Sequence, residues 1–227
     1  MAFVHLIGQT RPPGFHPRAE RAAMSGSVTD DATLVIRARA GCGESFAALV
    51  ARHQVAIVHY VGWMLGRGGR TRCDVEDLAQ QTFLRAYRDL DAYRADGPFA
   101  AWLFAIARRT CLNHQRGERR RVARLATLRP GDVDPAPGPD EAAAAAEGRR
   151  LLWDVARRTL SERQFTALWL HYVEALPVSG IATVLERSPA AVKLLLHRGR
   201  RRLEPLLAEF APASFALYRG GETHDET

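Results

Sequence analysis

The chain has 227 residues, 47% of them hydrophobic, and a formal net charge of +7. No apolar run reaches the length of a membrane span, the start lacks the charged region and cleavage site of a secretory signal, and three widely spaced cysteines show no ligand spacing for zinc. These features lead us to expect a cytoplasmic protein of one large or two small domains, with Cys42, Cys73 and Cys111 as free thiols and no metal or cofactor.

Lys193 is the only lysine, so the positive charge is almost wholly arginine, whose guanidinium forks suit phosphates and guanine edges. Residues 1–27 mix prolines, glycines and charges without periodicity and are expected to be disordered, with Met1 or Met24 as the start. From Phe46 the positions Leu49, Val50, His53, Ile57, Tyr60, Val61 and Met64 recur at helical spacing, up to a breaker at Gly66–Gly69. Asp74 to Leu90 reads as a second helix. Its acidic start suits the positive end of the helix dipole, and Val75, Leu78, Ala79, Phe83, Ala86 and Tyr87 are its apolar positions. A loop follows over Asp91–Pro98. Phe99, Trp102, Leu103 and Ile106 then open a third helix, which runs into Asn113, Arg116 and an arginine cluster reaching Arg124. Trp102, at helical spacing with two apolar neighbours, is expected in the core.

Between Thr127 and Gly148, four prolines, acidic residues and an alanine run cannot bury enough surface to fold alone, which predicts a tether. Leu151, Leu152 and Val155 give one short helix. Ser161 with Gln164 is a capping box, flanked by Leu160 and Phe165 as a hydrophobic staple, so a new helix starts at Glu162. Phe165, Leu168, Trp169 and Tyr172 supply its apolar stripe. Two further helices follow, over Leu176–Leu185 and Ser188–Leu207, the last one capped by Ser188 with Pro189 in its first position. A tight turn between two such helices is the pattern of a helix-turn-helix. Val192, Leu196, Gly199 and Leu203 would face the core and Lys193, Leu194, His197, Arg198 and Arg201 would face DNA or solvent.

The run Tyr172-Val-Glu-Ala-Leu176, Ile181-Ala182 and Ser188-Pro-Ala-Ala-Val192-Lys193, followed by Leu196-His197-Arg198-Gly199-Arg200-Arg201-Arg202-Leu203, resembles region 4 of bacterial sigma factors of the sigma-70 family, extracytoplasmic-function class. The run Asp74-Val-Glu-Asp77-Leu78-Ala-Gln80-Gln81-Thr-Phe83-Leu84-Arg85-Ala86-Tyr87 is similar to that family's core-binding helix in region 2. Phe99-Ala-Ala-Trp102-Leu103-Phe104-Ala-Ile106-Ala107-Arg108 resembles its promoter-melting helix. The matches cover about 30–122 and 148–208, in the family's order.

The resemblance implies an all-α chain of two small helical domains joined by a flexible linker. These are a region 2 helical bundle over 28–122 and a region 4 helix-turn-helix over 148–210, with a disordered extension over 1–27, the linker over 123–147 and a polar tail over 211–227. It implies a non-enzymatic factor that binds core RNA polymerase, directs it to specific promoters and helps melt the minus-ten element for a stress- or signal-responsive regulon. Asp74, Glu76, Asp77, Gln80, Gln81, Phe83, Leu84 and Tyr87 would meet the polymerase β′ clamp helices, with the β subunit as a further contact. The loop Asp91–Pro98 would cradle a flipped base. Tyr93, Arg94, Asp96, Asn113 and Arg116 would lie near that strand, and Arg119, Arg120, Arg121 and Arg124 would hold phosphates. Ser188, Ala190, Ala191, Lys193, Leu194, His197, Arg198 and Arg201 would read the minus-thirty-five element.

The resemblance further implies an anti-sigma factor covering both domains, with no membrane insertion and no obligate homo-oligomer. Arg109 stands where the family commonly carries asparagine, Gln81 replaces a frequent glutamate, and Leu194 and Leu195 replace serine and arginine; an unusual promoter sequence is therefore expected. The C-terminal half alone would also suit a conventional helix-turn-helix regulator, which leaves the region 2 motifs unexplained. A hydrolase would need convergent carboxylates or histidines, and His53, His114, His171 and His197 are scattered.

Overall fold

The computed structural model describes residues 29–66, 72–125, 153 and 155–210. The expected disordered lead, the tether with its alanine run, Leu151, Leu152 and the tail lie outside these residues, as does the breaker beyond Gly66. Every described element is helical, and along the chain the helices form a first unit over residues 31–125 and a second over residues 155–210.

The first unit holds α1 (Asp31–Arg39), α2 (Gly43–Leu65), α3 (Arg72–Arg88), a 3₁₀ turn (Leu90–Ala92) and α4 (Phe99–Leu125). α1 has no counterpart in the sequence reading. Its cap is Asp30, whose side chain accepts from the Ala32 N–H at 3.2 Å. It ends where Gly41, at φ 91°, donates to the Ala38 carbonyl while Cys42 donates to Arg37, a left-handed closure that glycine adopts without a Cβ clash. The second helix starts three residues before Phe46. The third stops at Arg88 rather than Leu90, because Leu90–Ala92 tightens into the 3₁₀ turn, with the Tyr93 N–H returning to the Leu90 carbonyl.

Central α2 packs on α1, α3 and α4, and α3 packs on α4. Leu49, Ile57, Tyr60 and Val61 are buried on its inner stripe, as the periodicity of the sequence predicts. Tyr60 meets Phe104 edge to face at 5.3 Å. At the end of α2, Gln115 of α4 donates to the Met64 carbonyl at 2.8 Å, satisfying a group the helix leaves without an internal partner.

The second unit has a helical stretch at 155–159, then α5 (Glu162–Tyr172), α6 (Val178–Leu185) and α7 (Pro189–Phe210). The capping box forms as expected: the Gln164 N–H donates to Ser161 Oγ at 3.4 Å and the Ser161 N–H to Gln164 Oε1 at 3.0 Å. Leu160 and Phe165, the expected staple, are both buried. Trp153, Phe165 and Trp169 form an aromatic cluster, with Trp153 and Trp169 edge to face at 4.9 Å. α6 begins two residues later than the apolar pattern suggests. Ala175 sits at φ 53°, so that the Leu176 N–H reaches back to the Leu170 carbonyl at 2.9 Å, and Pro177 precedes the new helix. α7 continues past Leu207 to Phe210, with Pro205 inside it.

Candidate nucleic-acid and partner interfaces

On α3, helical spacing sorts the side chains into two faces. Leu78, Ala79, Thr82 and Ala86 are buried, whereas Glu76, Asp77, Gln80, Gln81, Leu84 and Tyr87 are all exposed along one stripe. Asp74 and Phe83 flank it, half-buried. Leu84 and Tyr87 stand out because they are 51% and 55% exposed within an otherwise acidic and polar face. Tyr87 keeps one edge contact, to Phe46 at 4.9 Å. A polar rim around apolar residues is the composition of a contact surface.

The loop before α4 is built on Tyr93. This residue was expected beside DNA, yet it is 6% exposed and forms the loop's floor. Its ring lies 5.5 Å from Phe99 and 5.6 Å from Trp102, and its hydroxyl donates to the Gly97 carbonyl at 2.8 Å. Arg94 and Asp96 are exposed on the loop's outer side. Trp102 is half-buried against Tyr93 and Phe99, so the expected core role describes one side of its indole.

From that loop, Trp102, Ala105, Arg109, Asn113, Arg116 and Arg120 continue along α4 at three- and four-residue steps, every one partly or fully exposed. Asn113 accepts from Arg116 at 3.3 Å. Arg119, Arg120 and Arg121 are exposed as well, Arg121 in a surface pair with Glu118 at 3.5 Å that constrains it little; the side chain of Arg124 lies outside the described residues. At ~1.5 Å per residue, Asn113 lies about 21 Å along the helix from Phe99. Loop and arginine cluster therefore form a track, not one pocket.

On α7, Val192, Leu196, Gly199 and Leu203 are buried, as the pattern of the sequence requires. Ser188, Ala190, Lys193, Leu194, His197, Arg198 and Arg201 are exposed, and Ala191 is half-buried. The Ala191 N–H donates to Ser188 Oγ at 3.2 Å, which fixes the helix start. The helix approaches α5 closely at Gly199, where a Cβ would lie 2.9 Å from Leu168 Cδ1. Below the basic face, Arg200 donates to the Tyr172 hydroxyl at 3.4 Å. Burial raises the Tyr172 phenol pKa, and Arg200 partly opposes it.

Among the described residues no group of His, Cys, Asp or Glu could hold a metal ion, and no helix is long and apolar enough to cross a membrane. Cys42 and Cys73 are exposed and Cys111 is buried, and none of the three is in a disulfide. What the sequence reading missed is α1, whose Arg39 reaches the loop; its only signal is the Asp30-Asp31 start and the Gly41 stop.

The family model Sigma-70 region 2 matches residues 49–121, and Sigma-70, region 4 matches residues 153–203. The RNA polymerase sigma-H factor of Pseudomonas aeruginosa is 30% identical over 191 residues, covering 79% of this chain and 96% of that protein. The ECF RNA polymerase sigma factor BldN of Streptomyces coelicolor is 30% identical over 181 residues, covering 78% of this chain and 66% of that protein. Among solved structures, CnrH in complex with the cytosolic domain of CnrY is similar at a TM-score of 0.57 and 26% identity, over 79% of this chain and 97% of that one. With both regions matched in order on an all-helical chain, the protein belongs to the sigma-70 family as an extracytoplasmic-function sigma factor, a non-enzymatic factor that directs RNA polymerase to promoters.

Proposed function

We propose that this sigma factor docks its α3 face on the β′ clamp helices of core polymerase, with the β subunit as a further contact. The observation that carries this reading is the exposure of Leu84 and Tyr87 inside the acidic and polar stripe of Glu76, Asp77, Gln80 and Gln81. Water-exposed apolar area of that kind favours burial against a partner by about 25 cal/mol per Å².

Promoter opening requires a base to leave the stack, at a cost of a few kcal/mol. In this reading the outer side of the loop, with Arg94 and Asp96, receives the flipped base. Asn113, Arg116, Arg119, Arg120 and Arg121 hold the displaced strand by its phosphates. From Phe99 to Arg121 the track is about 33 Å long, which matches roughly ten nucleotides at ~3.4 Å each. Positive charge fixed at its far end, from Arg116 to Arg121, recovers the unpairing cost through phosphate contacts.

The exposed face of α7 enters the major groove at the minus-thirty-five element. The small residues Ala190 and Ala191 permit close approach, Leu194 offers a surface for a thymine methyl, and Lys193, Arg198 and Arg201 supply charge. We also propose an anti-sigma factor as a partner that masks the α3 and α7 faces. The similar CnrH, solved in complex with the cytosolic domain of CnrY, supports this.

Reconstitution tests the whole reading. Purified core polymerase plus this chain should start transcription at a promoter recovered by sequencing transcripts after overproduction. A conventional helix-turn-helix regulator would leave core polymerase unable to start there.

A further inference from the structure

We propose that Arg39, at the end of α1, sets the shape of the base-receiving loop and is a positioning residue for promoter opening. The inference rests on the reading of residues 91–98 as that loop. Arg39 Nε and Nη2 donate to the Leu90 carbonyl at 3.0 and 2.8 Å, and Nη2 donates to the Asp91 carbonyl at 3.2 Å and to the Tyr93 carbonyl as well. The guanidinium carbon also stands 5.9 Å from the centroid of the Tyr93 ring.

These carbonyls belong to the 3₁₀ turn and the residue that ends it; the Leu90 carbonyl also accepts the Tyr93 N–H, and its second lone pair is open to the guanidinium. A planar fork with fixed donors spans several of them at once, whereas an ammonium is a point charge. The loop is therefore fastened at both ends. Arg39 grips its entry through the Leu90, Asp91 and Tyr93 carbonyls, and the Tyr93 hydroxyl holds its exit through Gly97. Between the two fastenings lie the exposed residues Arg94, Ala95 and Asp96.

Arg39 is not needed to dock α1 itself. The opposite end of that helix is tied to α2 through Asp31, and Leu34, Val35 and Ala38 are buried along it. The Arg39 guanidinium instead donates to carbonyls of residues 90–93. Holding the loop in one shape before DNA arrives removes an ordering cost that would otherwise be taken from base binding, and it makes that binding selective.

The test uses full-length protein assembled with core polymerase and single-stranded oligonucleotides of the non-template minus-ten strand. Each position in turn is varied through all four bases, and the readout is the affinity ratio between best and worst base. Arg39→Ala and Arg39→Lys should each reduce that ratio at one position by about tenfold, the scale of one well-placed polar contact. Core-polymerase affinity and the salt dependence of binding should stay at wild-type values. A role confined to folding predicts a lower melting temperature, with affinity for all four bases falling together and the ratio intact, which overturns the inference. Arg39→Lys, which keeps the charge and stem, provides this readout if Arg39→Ala fails to fold. Arg94→Ala and Asp96→Ala separate the two levels. If they change the ratio and the Arg39 variants do not, only the inference fails. If none of the four changes it, the reading of the loop fails too.

Discussion

Asp31 Oδ2 lies 3.2 Å from His53 Nε2 while Oδ1 accepts from Arg52, so one carboxylate, 3% exposed, ties α1 to α2 from within the core of the first unit. Arg52 extends the tie to the Thr29 carbonyl at 2.9 Å. A buried carboxylate persists only where partners replace its lost water, and removing it strands those partners in turn. Asp31→Ala should therefore destabilise this unit by about 3 kcal/mol. Amide hydrogen exchange on the full chain checks this. Protection should fall across α1 and α2 and stay unchanged in α5 and α7.

Leu84→Ala tests the α3 face without disturbing the fold. The side chain is half in water already, so its loss should change stability by no more than about 0.5 kcal/mol. If the face docks on core polymerase, truncating an apolar residue there should cost about 1–2 kcal/mol, roughly tenfold in affinity. Fluorescence titration with purified core polymerase measures it. Wild-type affinity would remove Leu84 from the interface.

Arg198→Ala and Arg201→Ala should each weaken binding to a duplex carrying the minus-thirty-five element and lower the slope of log affinity against log salt by about one. Both guanidinium groups sit on an exposed helix face, so folding should be unaffected. An unchanged slope would mean the arginine in question touches no phosphate.

The helical architecture was legible wherever the apolar period was long. The stripe of α2, the boundary of α5 set by Ser161 and Gln164, and the inner face of α7 all stand as the pattern dictates. α1 escaped because its run of Leu34, Val35 and Ala38 among arginines is short, and its docking relies on Asp31, a residue that pattern reading assigns to the surface. Tyr93 was expected near DNA because the resemblance puts its loop there; the aromatic contacts that turn it inward come from Phe99 and Trp102, and pairing across a turn leaves no periodic trace. Among helix ends, Gly66 marked that of α2 and the end of α6 at Leu185 was read as well, whereas α3 was carried two residues too far. Ala175, at φ 53°, carries no such mark.

His171 gives the second unit a pH dependence. Burial lowers its pKa below 6.5, the Leu176 backbone hydrogen bond opposes this, and Arg200 lowers it further. Its Nδ1 is buried without a hydrogen-bond partner. The unfolded chain therefore takes up the proton first as pH falls. The stabilisation is fully present above about pH 6.5 and is lost as pH drops toward the depressed folded value. Urea midpoints of this unit, followed through the amide signals of α5, should decline from pH 7.5 to 5.5. In His171→Gln that contribution should vanish and the profile should flatten.

Gly199 decides how closely α7 can lie on α5. Its backbone is ordinary helix, so conformational freedom is not what the position needs; space is. A Cβ there would stand 2.9 Å from Leu168 Cδ1 and 3.4 Å from Leu168 Cγ, and Leu168 is fully buried, with little room to rotate away. Alanine has the better helix propensity by about 1 kcal/mol, which opposes the clash. Overpacking in a closed core costs about 1–3 kcal/mol, so crowding should win and Gly199→Ala should be destabilising. Because Val192, Leu196 and Leu203 share the inner face with Gly199, relief of the clash by a shift of the helix carries Lys193, Arg198 and Arg201 outward. DNA affinity should then fall at a temperature where the variant is still folded. The double variant Gly199→Ala with Leu168→Ala supplies the missing space and should recover affinity relative to Gly199→Ala alone. If the single variant binds DNA as the wild type does, the close approach at Gly199 is not what sets the recognition face.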